Sequence, residues 1–168
     1  RHIPVTFLVR EKSYWNNVLP AEESEMVNRH IRANGIDLRL ETELKEIIDD
    51  GNGKAGAVVT NEDERIECGY VGLTAGVSPN LAFLKDTELE LGRGILVDEH
   101  LQTNIPDVYA IGDCAQQQEA IGNRRPIEAV WYTGRMMGEV LAQTICGNKM
   151  PYNPGHWFNS AKFLDIEY

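Results

Sequence analysis

The segment from Thr103 to Asp113 constrains the fold of this 168-residue chain more than any other part of its sequence. A turn leads into a short apolar run, Val108 to Ile111, which we predict to be a buried strand. The run ends at Gly112, where the missing Cβ lets a ligand approach the backbone closely. Asp113 then falls just past the predicted strand, where open α/β sheets bind ligands, and its carboxylate can accept hydrogen bonds from sugar or polyol hydroxyls. For the Gly-Asp dipeptide alone, an ordinary strand and turn is the more common structure.

The first half of the chain predicts a β-α-β unit followed by an antiparallel β-meander. A strand over Val5–Val9 precedes a helix in which Pro20 takes the first helical position and Gly35 marks the stop. The helix is expected to pack through Met26, Val27, His30 and Ile31. Further strands are predicted over residues 36–40, 44–48, 57–60, 65–68 and 70–74, with a dense turn signal at residues 50–53.

The second half predicts a strand over residues 95–98 and a long helix from Ile127 to Ile145. Apolar residues at helical spacing predict the packed face of this helix, and Gly134 and Gly138 would allow a close approach to a neighbour. That face is formed by Val130, Met137, Val140, Leu141 and Ile145. Residues 161–168 resemble a strand that runs up to the last residue.

Composition excludes several classes of function. The net charge of −10 disfavours nucleic-acid binding, because an acidic surface repels phosphates, and 42% apolar residues are enough for a core. No apolar run approaches the ~18 residues of a membrane span. Three separated cysteines, Cys68, Cys114 and Cys146, form no dithiol motif, so we expect buried thiols in a reducing cytoplasm. His2, His30, His100 and His156 are scattered, so we expect no metal site and disfavour a metal-dependent hydrolase.

The spacing T-x-x-x-x-V-Y-A-x-G-D over Thr103–Asp113 resembles the second flavin-binding motif of the pyridine nucleotide-disulfide oxidoreductase superfamily. The lead-in at residues 94–99 is similar to that of the family as well. The resemblance implies that Asp113 hydrogen-bonds the ribityl chain of FAD, with Thr103, Ile111 and Gly112 as the rest of the motif. It also implies FAD and NAD(P)H as cofactors.

Two further segments resemble the same family. Gly76 to Asn80, with Pro79, is similar to a short segment that joins the nucleotide domain back to the flavin domain, although here the preceding triplet is permuted to Thr74-Ala75-Gly76. Residues 126–135 resemble the helix whose N-terminus points at the flavin ring, where its partial positive charge would stabilise a reduced flavin. This resemblance places Val130 and Trp131 nearest the ring, and simple core packing explains Trp131 equally well.

The opening strand resembles the second strand of the NAD(P)-binding domain of the family. Residues just past such a strand meet the adenosine ribose, where an acidic residue favours NAD and an arginine favours NADP. This chain has Arg10 and Glu11 side by side, so both nucleotides stay open, as does a solvated strand end.

The resemblance implies an α/β, three-layer FAD/NAD(P)-binding type fold, incomplete, with an antiparallel β-meander. We expect residues 1–75 to form the C-terminal part of an NAD(P)-binding domain and residues 76–150 the C-terminal part of an FAD-binding domain. Residues 151–168 would begin a truncated interface domain. We expect no glycine fingerprint for a pyrophosphate in this chain, and hence weak or no FAD binding by the chain alone.

Two functions follow as expectations. The first is part of a flavoprotein oxidoreductase that passes hydride from NAD(P)H to FAD and on to an unknown acceptor, and the isolated chain is expected to be inactive. A redox carrier protein is one candidate for the acceptor. The resemblance leans towards the branch of NADH oxidases and ferredoxin or rubredoxin reductases. The alternative is a non-enzymatic nucleotide-binding or interaction module that retains part of the fold. Exposed sheet edges would in either case favour a homodimer.

Overall fold

The computed structural model of the chain describes residues 3–168, so His2 lies outside the described residues. The chain folds into two compact units. The first unit comprises residues 3–74 together with Ala161–Tyr168, and the second comprises Ala75–Ser160.

The first unit begins with the predicted β-α-β arrangement. Strand β1 (Thr6–Val9) pairs in parallel with β2 (Asp37–Leu40), in a register that places Thr6 opposite Asp37. Helix α1 (Ala21–Ala33) connects them. Pro20 is the extended N-cap residue rather than the first helical residue, a one-position correction, and Gly35 follows the helix with a left-handed φ of 75°.

One face of α1 supplies the core of this unit. Val27 and Ile31 are buried with Leu19 and Leu38, whereas Met26, predicted for the same face, is 42% exposed. The C-terminal residues add a two-stranded hairpin, β8 (Lys162–Phe163) and β9 (Ile166–Glu167), whose Phe163 packs edge-on against Trp15 with ring centroids 5.0 Å apart.

The predicted meander is confirmed. Strands β3 (Leu44–Asp49), β4 (Ala55–Thr60) and β5 (Arg65–Glu67) form an antiparallel sheet in chain order. By contrast, residues 70–74 form no strand, and Tyr70 and Leu73 are 85% and 71% exposed. An apolar run becomes a strand only where another strand satisfies its backbone, and within residues 3–168 none pairs with it.

The turn between β3 and β4 corrects the expectation that the sequence lacks a glycine fingerprint. Residues 51–56, Gly-Asn-Gly-Lys-Ala-Gly, do match the G-x-G-x-x-G spacing. They lie in a hairpin instead of between a strand and a helix, and the Asp49 and Asp50 side chains accept hydrogen bonds from the backbone N–H groups of residues 51–54. Because carboxylates already occupy these N–H groups, the turn is unsuited to a phosphate.

The second unit is built on a small parallel sheet and one long helix. Strand β6 (Ile95–Val97) pairs with β7 (Ala115–Gln117), and helix α2 spans Trp131–Ile145. Its core consists of Val97, Leu101, Ala110, Ala115, Met137 and Tyr152, with Val140 and Leu141 packed against it.

Three predictions for this unit are wrong in detail. Val108–Ile111 is not a strand and makes only an isolated bridge from Tyr109 to Gln102, while the strand lies a few residues later as β7. Helix α2 begins at Trp131 rather than Ile127, because Val130 is extended at φ −135°. Ile145 is 68% exposed instead of packed.

The three cysteines also differ from expectation. All are free thiols, and none is fully buried: Cys68 and Cys114 are half-buried and Cys146 is exposed. Each cysteine lies in a turn or at the end of a strand or helix, outside the apolar core.

Candidate functional site

The candidate site is the turn of residues Gly112–Cys114 and the helix packed against it. These three residues form one 3₁₀ turn between the Tyr109 bridge and β7, so Asp113 precedes a strand instead of following one. Gly112 has a left-handed φ of 77°, a conformation that favours glycine. A Cβ placed there would meet no heavy atom within 4 Å, so open space lies in front of this backbone.

Two glycines of α2 face the turn, although a Cβ at either position would make only an ordinary van der Waals contact, so the spacing does not require glycine. A Cβ on Gly134 would lie 3.5 Å from the Cα of Gly112, and one on Gly138 would lie 3.9 Å from the Cδ1 of Ile111. The N–H of Gly112 donates a hydrogen bond to the sulfur of Met137 at 3.3 Å. The turn is therefore held on the helix by van der Waals contact and by one hydrogen bond.

Asp113 is exposed on this turn. Within residues 3–168, its carboxylate has no hydrogen-bond or ion-pair partner, so its oxygens are free to accept hydrogen bonds. Ile111, just before the turn, is 36% exposed. The predicted residues Ile111, Gly112 and Asp113 thus share one accessible segment.

The first turn of α2 lies beside that segment. Val130 is the N-cap residue, and no side chain caps the helix there. The first N–H groups of an α-helix lack backbone partners and carry partial positive charge. Trp131 is the first helical residue and is 68% exposed, so the alternative of core packing for this tryptophan is wrong. Arg135 lies over its ring, with the guanidinium carbon 5.7 Å from the centroid.

Thr103 shapes the segment that leads to the turn. Its side chain is buried, and its hydroxyl donates to the carbonyls of Ile105 and Val108 while accepting from the N–H of Ile105. Asp107, in the same loop, has a left-handed φ of 61°. Since the Thr103 hydroxyl is already engaged, its contribution is to fix the loop.

The remaining predicted residues are placed apart from the turn. Gly76 has a left-handed φ of 95° in an exposed segment, and Pro79 is half-buried. Among the described residues of this unit, no hydrogen bond joins that segment to Gly112–Cys114.

Arg10 and Glu11 follow β1 in the first unit and form an ion pair at 2.8 Å. The hydrogen bond from Arg10 lowers the pKa of the Glu11 carboxyl, and the same bond raises the pKa of Arg10. The two charges neutralise each other at the end of the strand, so neither side chain carries an unpaired charge there.

Sequence reasoning missed three residues near the turn: Met137 as a hydrogen-bond acceptor, and the pair Arg124 and Glu128. The side chains of that pair are only 8% and 7% exposed. An arginine four residues before a glutamate was the available signal, although the segment is a loop and not a helix. The sulfur had no sequence signal, because Met137 fits the apolar face equally well.

Comparison with known proteins decides the family. The family model described as pyridine nucleotide-disulphide oxidoreductase matches residues 3–138. The chain belongs to the pyridine nucleotide-disulphide oxidoreductase family. Enzymes of this family are FAD- and NAD(P)H-dependent oxidoreductases, and these are the cofactors that the motifs implied.

Curated members of the family match most of this chain. The chain is 34% identical over 148 residues to a nitric oxide reductase FlRd-NAD(+) reductase of Aeromonas hydrophila, covering 88% of this chain and 36% of that protein. A protein of the same name from Shigella flexneri is 29% identical over 149 residues, covering 88% of this chain and 37% of its own length. The chain thus spans less than two fifths of these relatives.

Solved structures show the same fold. A putidaredoxin reductase in covalent complex with putidaredoxin superimposes with a TM-score of 0.87 at 23% identity, covering 99% of this chain and 40% of that chain. A ferredoxin reductase from Rhodopseudomonas palustris gives 0.84 at 24% identity, covering 93% of this chain and 38% of that chain. These likenesses confirm the α/β FAD/NAD(P)-binding type fold, of which the chain holds a part.

Two further findings concern membrane-spanning helices and metal-binding clusters. In residues 3–168, no helix is both long and apolar enough to cross a membrane. The described residues also contain no cluster of three or more His, Cys, Asp or Glu side chains suited to a metal ion.

Proposed function

We propose that the second unit forms one wall of a flavin site in an oxidoreductase that passes hydride from NAD(P)H to FAD and on to a redox carrier protein. The observation that carries this proposal is the unpartnered Asp113 carboxylate on a glycine turn with open space in front of it. A hydroxylated chain can approach the Gly112 backbone and donate to Asp113, because no Cβ stands in the way.

The first turn of α2 would face the ring of the same FAD molecule. Its uncapped N–H groups carry partial positive charge, and Gly134 brings them close to the Gly112 backbone. When bound there, FAD would supply the two-electron chemistry that links hydride transfer to carrier reduction. The chain itself would bind the ribityl chain through Asp113 and stabilise negative charge on the ring through the N-terminus of α2, beside Val130 and Trp131.

The first unit would contribute part of an NAD(P)-binding domain. In that role Arg10 and Glu11 lie where the adenosine ribose would be recognised, and their mutual ion pair supports NAD(P)H without a preference for either form. Gly76 and Pro79 would form the segment that returns to the flavin domain. Residues 151–168 would begin an interface domain, with a cytoplasmic homodimer as the assembly.

The names of the related proteins support a redox carrier protein as the electron acceptor. One solved relative is a putidaredoxin reductase in covalent complex with putidaredoxin, and the curated relatives carry the name nitric oxide reductase FlRd-NAD(+) reductase. The alternative, a non-enzymatic nucleotide-binding module, would keep the same turn and helix but would transfer no electrons.

The experiment that tests the flavin wall is a titration of the purified chain with FAD, followed by absorbance between 300 and 550 nm and by flavin fluorescence. Because the chain alone is expected to bind FAD weakly, shifted bands and quenching should appear only at high FAD concentration, and Asp113→Ala should weaken the affinity about tenfold further, as for a hydrogen bond to a charged acceptor. Asp107→Ala is an unsuitable control because Asp107 is strained, whereas Asp86→Ala changes another exposed aspartate of the same unit.

Equal affinity in Asp113→Ala, Asp86→Ala and the unmodified chain would remove Asp113 from the site. The absence of any spectral change with the unmodified chain would show that these residues do not hold FAD on their own. Electron transfer from NAD(P)H to a carrier, measured on a protein that contains this chain and binds FAD, separates the enzyme from the non-enzymatic module.

A further inference from the structure

The buried pair of Arg124 and Glu128 connects three segments of the second unit. The Nε of Arg124 donates to Oε1 of Glu128 at 3.0 Å, and its Nη2 donates to Oε2. The Nη1 of Arg124 donates to the carbonyls of Pro154 and Gly155, at 3.3 and 3.2 Å. The pair therefore ties the loop before α2 to the segment that follows the helix.

The third connection reaches α2 itself. The hydroxyl of Thr133 donates to Oε2 of Glu128 at 3.0 Å, and Thr133 is only 2% exposed. Thr133 lies in the first turn of the helix, one residue before Gly134, where an added Cβ would lie 3.5 Å from the Gly112 Cα. Glu128 thus holds the helix end at the point where the helix meets the glycine turn.

The opposite charges of Arg124 and Glu128 lie beside the positive N-terminus of α2. A lone carboxylate beside a helix N-terminus would cancel part of the positive potential that an anionic ligand needs. Arg124 neutralises Glu128 through their ion pair, so the helix end keeps its own partial charge. A buried pair is weak as a source of stability but specific in geometry, since each hydrogen bond requires one orientation.

We propose that Glu128 is a positioning residue that holds the first turn of α2 against the Gly112–Cys114 turn, and through it sets the geometry of the anion-facing helix end. This inference rests on the proposed flavin wall. Glu128 makes no contact with the ligand in this proposal and acts only through Thr133 and Arg124.

The test measures amide hydrogen exchange along α2 by NMR in the chain without added ligand. The N–H of Gly134 donates to the carbonyl of Val130 at 3.1 Å and so reports on the first turn. Glu128→Gln should speed exchange at residues 134–136 by about tenfold, because it leaves the Arg124 charge buried without its partner. Exchange at residues 142–145, at the other end of the helix, should stay unchanged.

A milder variant keeps the test valid if Glu128→Gln fails to fold. Thr133→Val removes the hydroxyl at nearly constant volume and should speed exchange in the first turn about fivefold, whereas Thr133→Ser should restore it. Glu139→Gln is the matched control, since Glu139 pairs with Arg135 at the same sequence spacing but with both side chains 62% exposed.

Uniformly faster exchange over the whole helix would show that the pair only adds to global stability, and would overturn the positioning role. No change in the first turn for Thr133→Val would overturn it equally. A parallel FAD titration separates the two proposals: if the unmodified chain binds FAD, Thr133→Val should weaken binding and Thr133→Ser should not. If the unmodified chain binds too little FAD to measure, as expected without a phosphate-binding glycine fingerprint, the same variants are compared in a protein that contains this chain and binds FAD, and hydrogen exchange alone decides the role of Glu128.

Discussion

The backbone N–H of Gly112 and the sulfur of Met137 form a hydrogen bond of 3.3 Å that joins the glycine turn to the middle of α2. Thioether sulfur is a weak acceptor, but here it satisfies a backbone donor that a left-handed glycine turns towards the helix. Gly134 faces the turn about one helical turn earlier, where a Cβ in its place would lie 3.5 Å from the Gly112 Cα. The position of Asp113 therefore depends on helix α2, which lies later in the sequence. No local sequence pattern predicts this dependence.

Replacing Met137 with leucine tests this hydrogen bond. The volume hardly changes, so the main loss is the acceptor for the Gly112 N–H, and we expect the free energy of unfolding to fall by about 1 kcal/mol. Met136→Leu is the control, because Met136 packs against the same core and its sulfur accepts no hydrogen bond within residues 3–168. Urea unfolding measures both, and equal losses in the two variants would contradict a specific role for the Met137 sulfur.

Gly94→Ala should disturb the Gly112–Cys114 turn at Cys114. A Cβ at Gly94 would lie 2.7 Å from the carbonyl oxygen of Cys114, a backbone atom that cannot move aside without shifting the turn. We expect a loss of about 2 kcal/mol by thermal or urea unfolding, typical of overpacking in a close-packed site. Gly69→Ala is the control, since a Cβ there meets nothing within 4 Å and should change stability by less than about 0.5 kcal/mol. Similar effects in both variants would show that the close approach is relieved at no cost.

Tyr152→Phe should leave the second unit as stable or make it more stable by about 1 kcal/mol. Tyr152 is 5% exposed, and within the described residues its hydroxyl has no hydrogen-bond partner, so the folded state carries an unsatisfied polar group. The hydroxyl of Tyr132, by contrast, is bonded to Ser160 at 3.1 Å, so Tyr132→Phe should be neutral or slightly destabilising. A clear loss of stability in Tyr152→Phe would mean that a water in the adjoining cavity of about 10 Å³ satisfies the hydroxyl.

The same tyrosine predicts a dependence on alkaline pH. Burial raises the pKa of Tyr152 above its ordinary value of 10.0, because the folded protein favours the protonated hydroxyl over the ionised one. The stability that depends on this protonated form is fully present below pH 10 and is lost as the pH rises through the folded-state pKa. Unfolding measured from pH 8 to 11 should therefore show a smaller alkaline loss of stability in Tyr152→Phe than in the unmodified chain. Parallel curves for the two proteins would contradict the raised pKa.

The hairpin of the first unit predicts a dependence on acid pH. His30 on α1 and Asp165 in the turn between β8 and β9 form a hydrogen bond of 2.5 Å, which lowers the pKa of the Asp165 carboxyl below its ordinary value of 3.8. The stabilising contribution of this carboxylate is present above pH 3.8 and disappears as the pH falls through the folded-state value. An NMR titration of the carboxyl carbon should show the lowered value, and His30→Phe should return it towards 3.8. An unchanged titration in His30→Phe would assign the shift to the backbone of the turn instead.

Local patterns predicted the elements whose hydrogen bonds and burial arise within one segment or between neighbours in sequence. The β-α-β unit and the meander are of this kind, since turn residues and alternating apolar positions determine their pairing. The same patterns failed for residues 70–74 and 108–111, because a strand needs a partner whose position is decided by the whole fold. The start of α2 was misplaced by four residues for a related reason: Glu128 is held by Arg124 outside the helix.

The family and the residue types of the candidate site follow from the amino-acid sequence alone, because the spacing from Thr103 to Asp113 and the match over residues 3–138 depend only on the order of residues. Which of those residues are accessible, and which contacts hold them, depends on the folded structure. It engaged the Thr103 hydroxyl within its own loop, exposed Trp131, and left the Asp113 carboxylate without a partner in the described chain. The physical reason is that hydrogen bonding and burial depend on distances between residues far apart in sequence, such as Gly112 and Met137, and these distances exist only after the chain has packed.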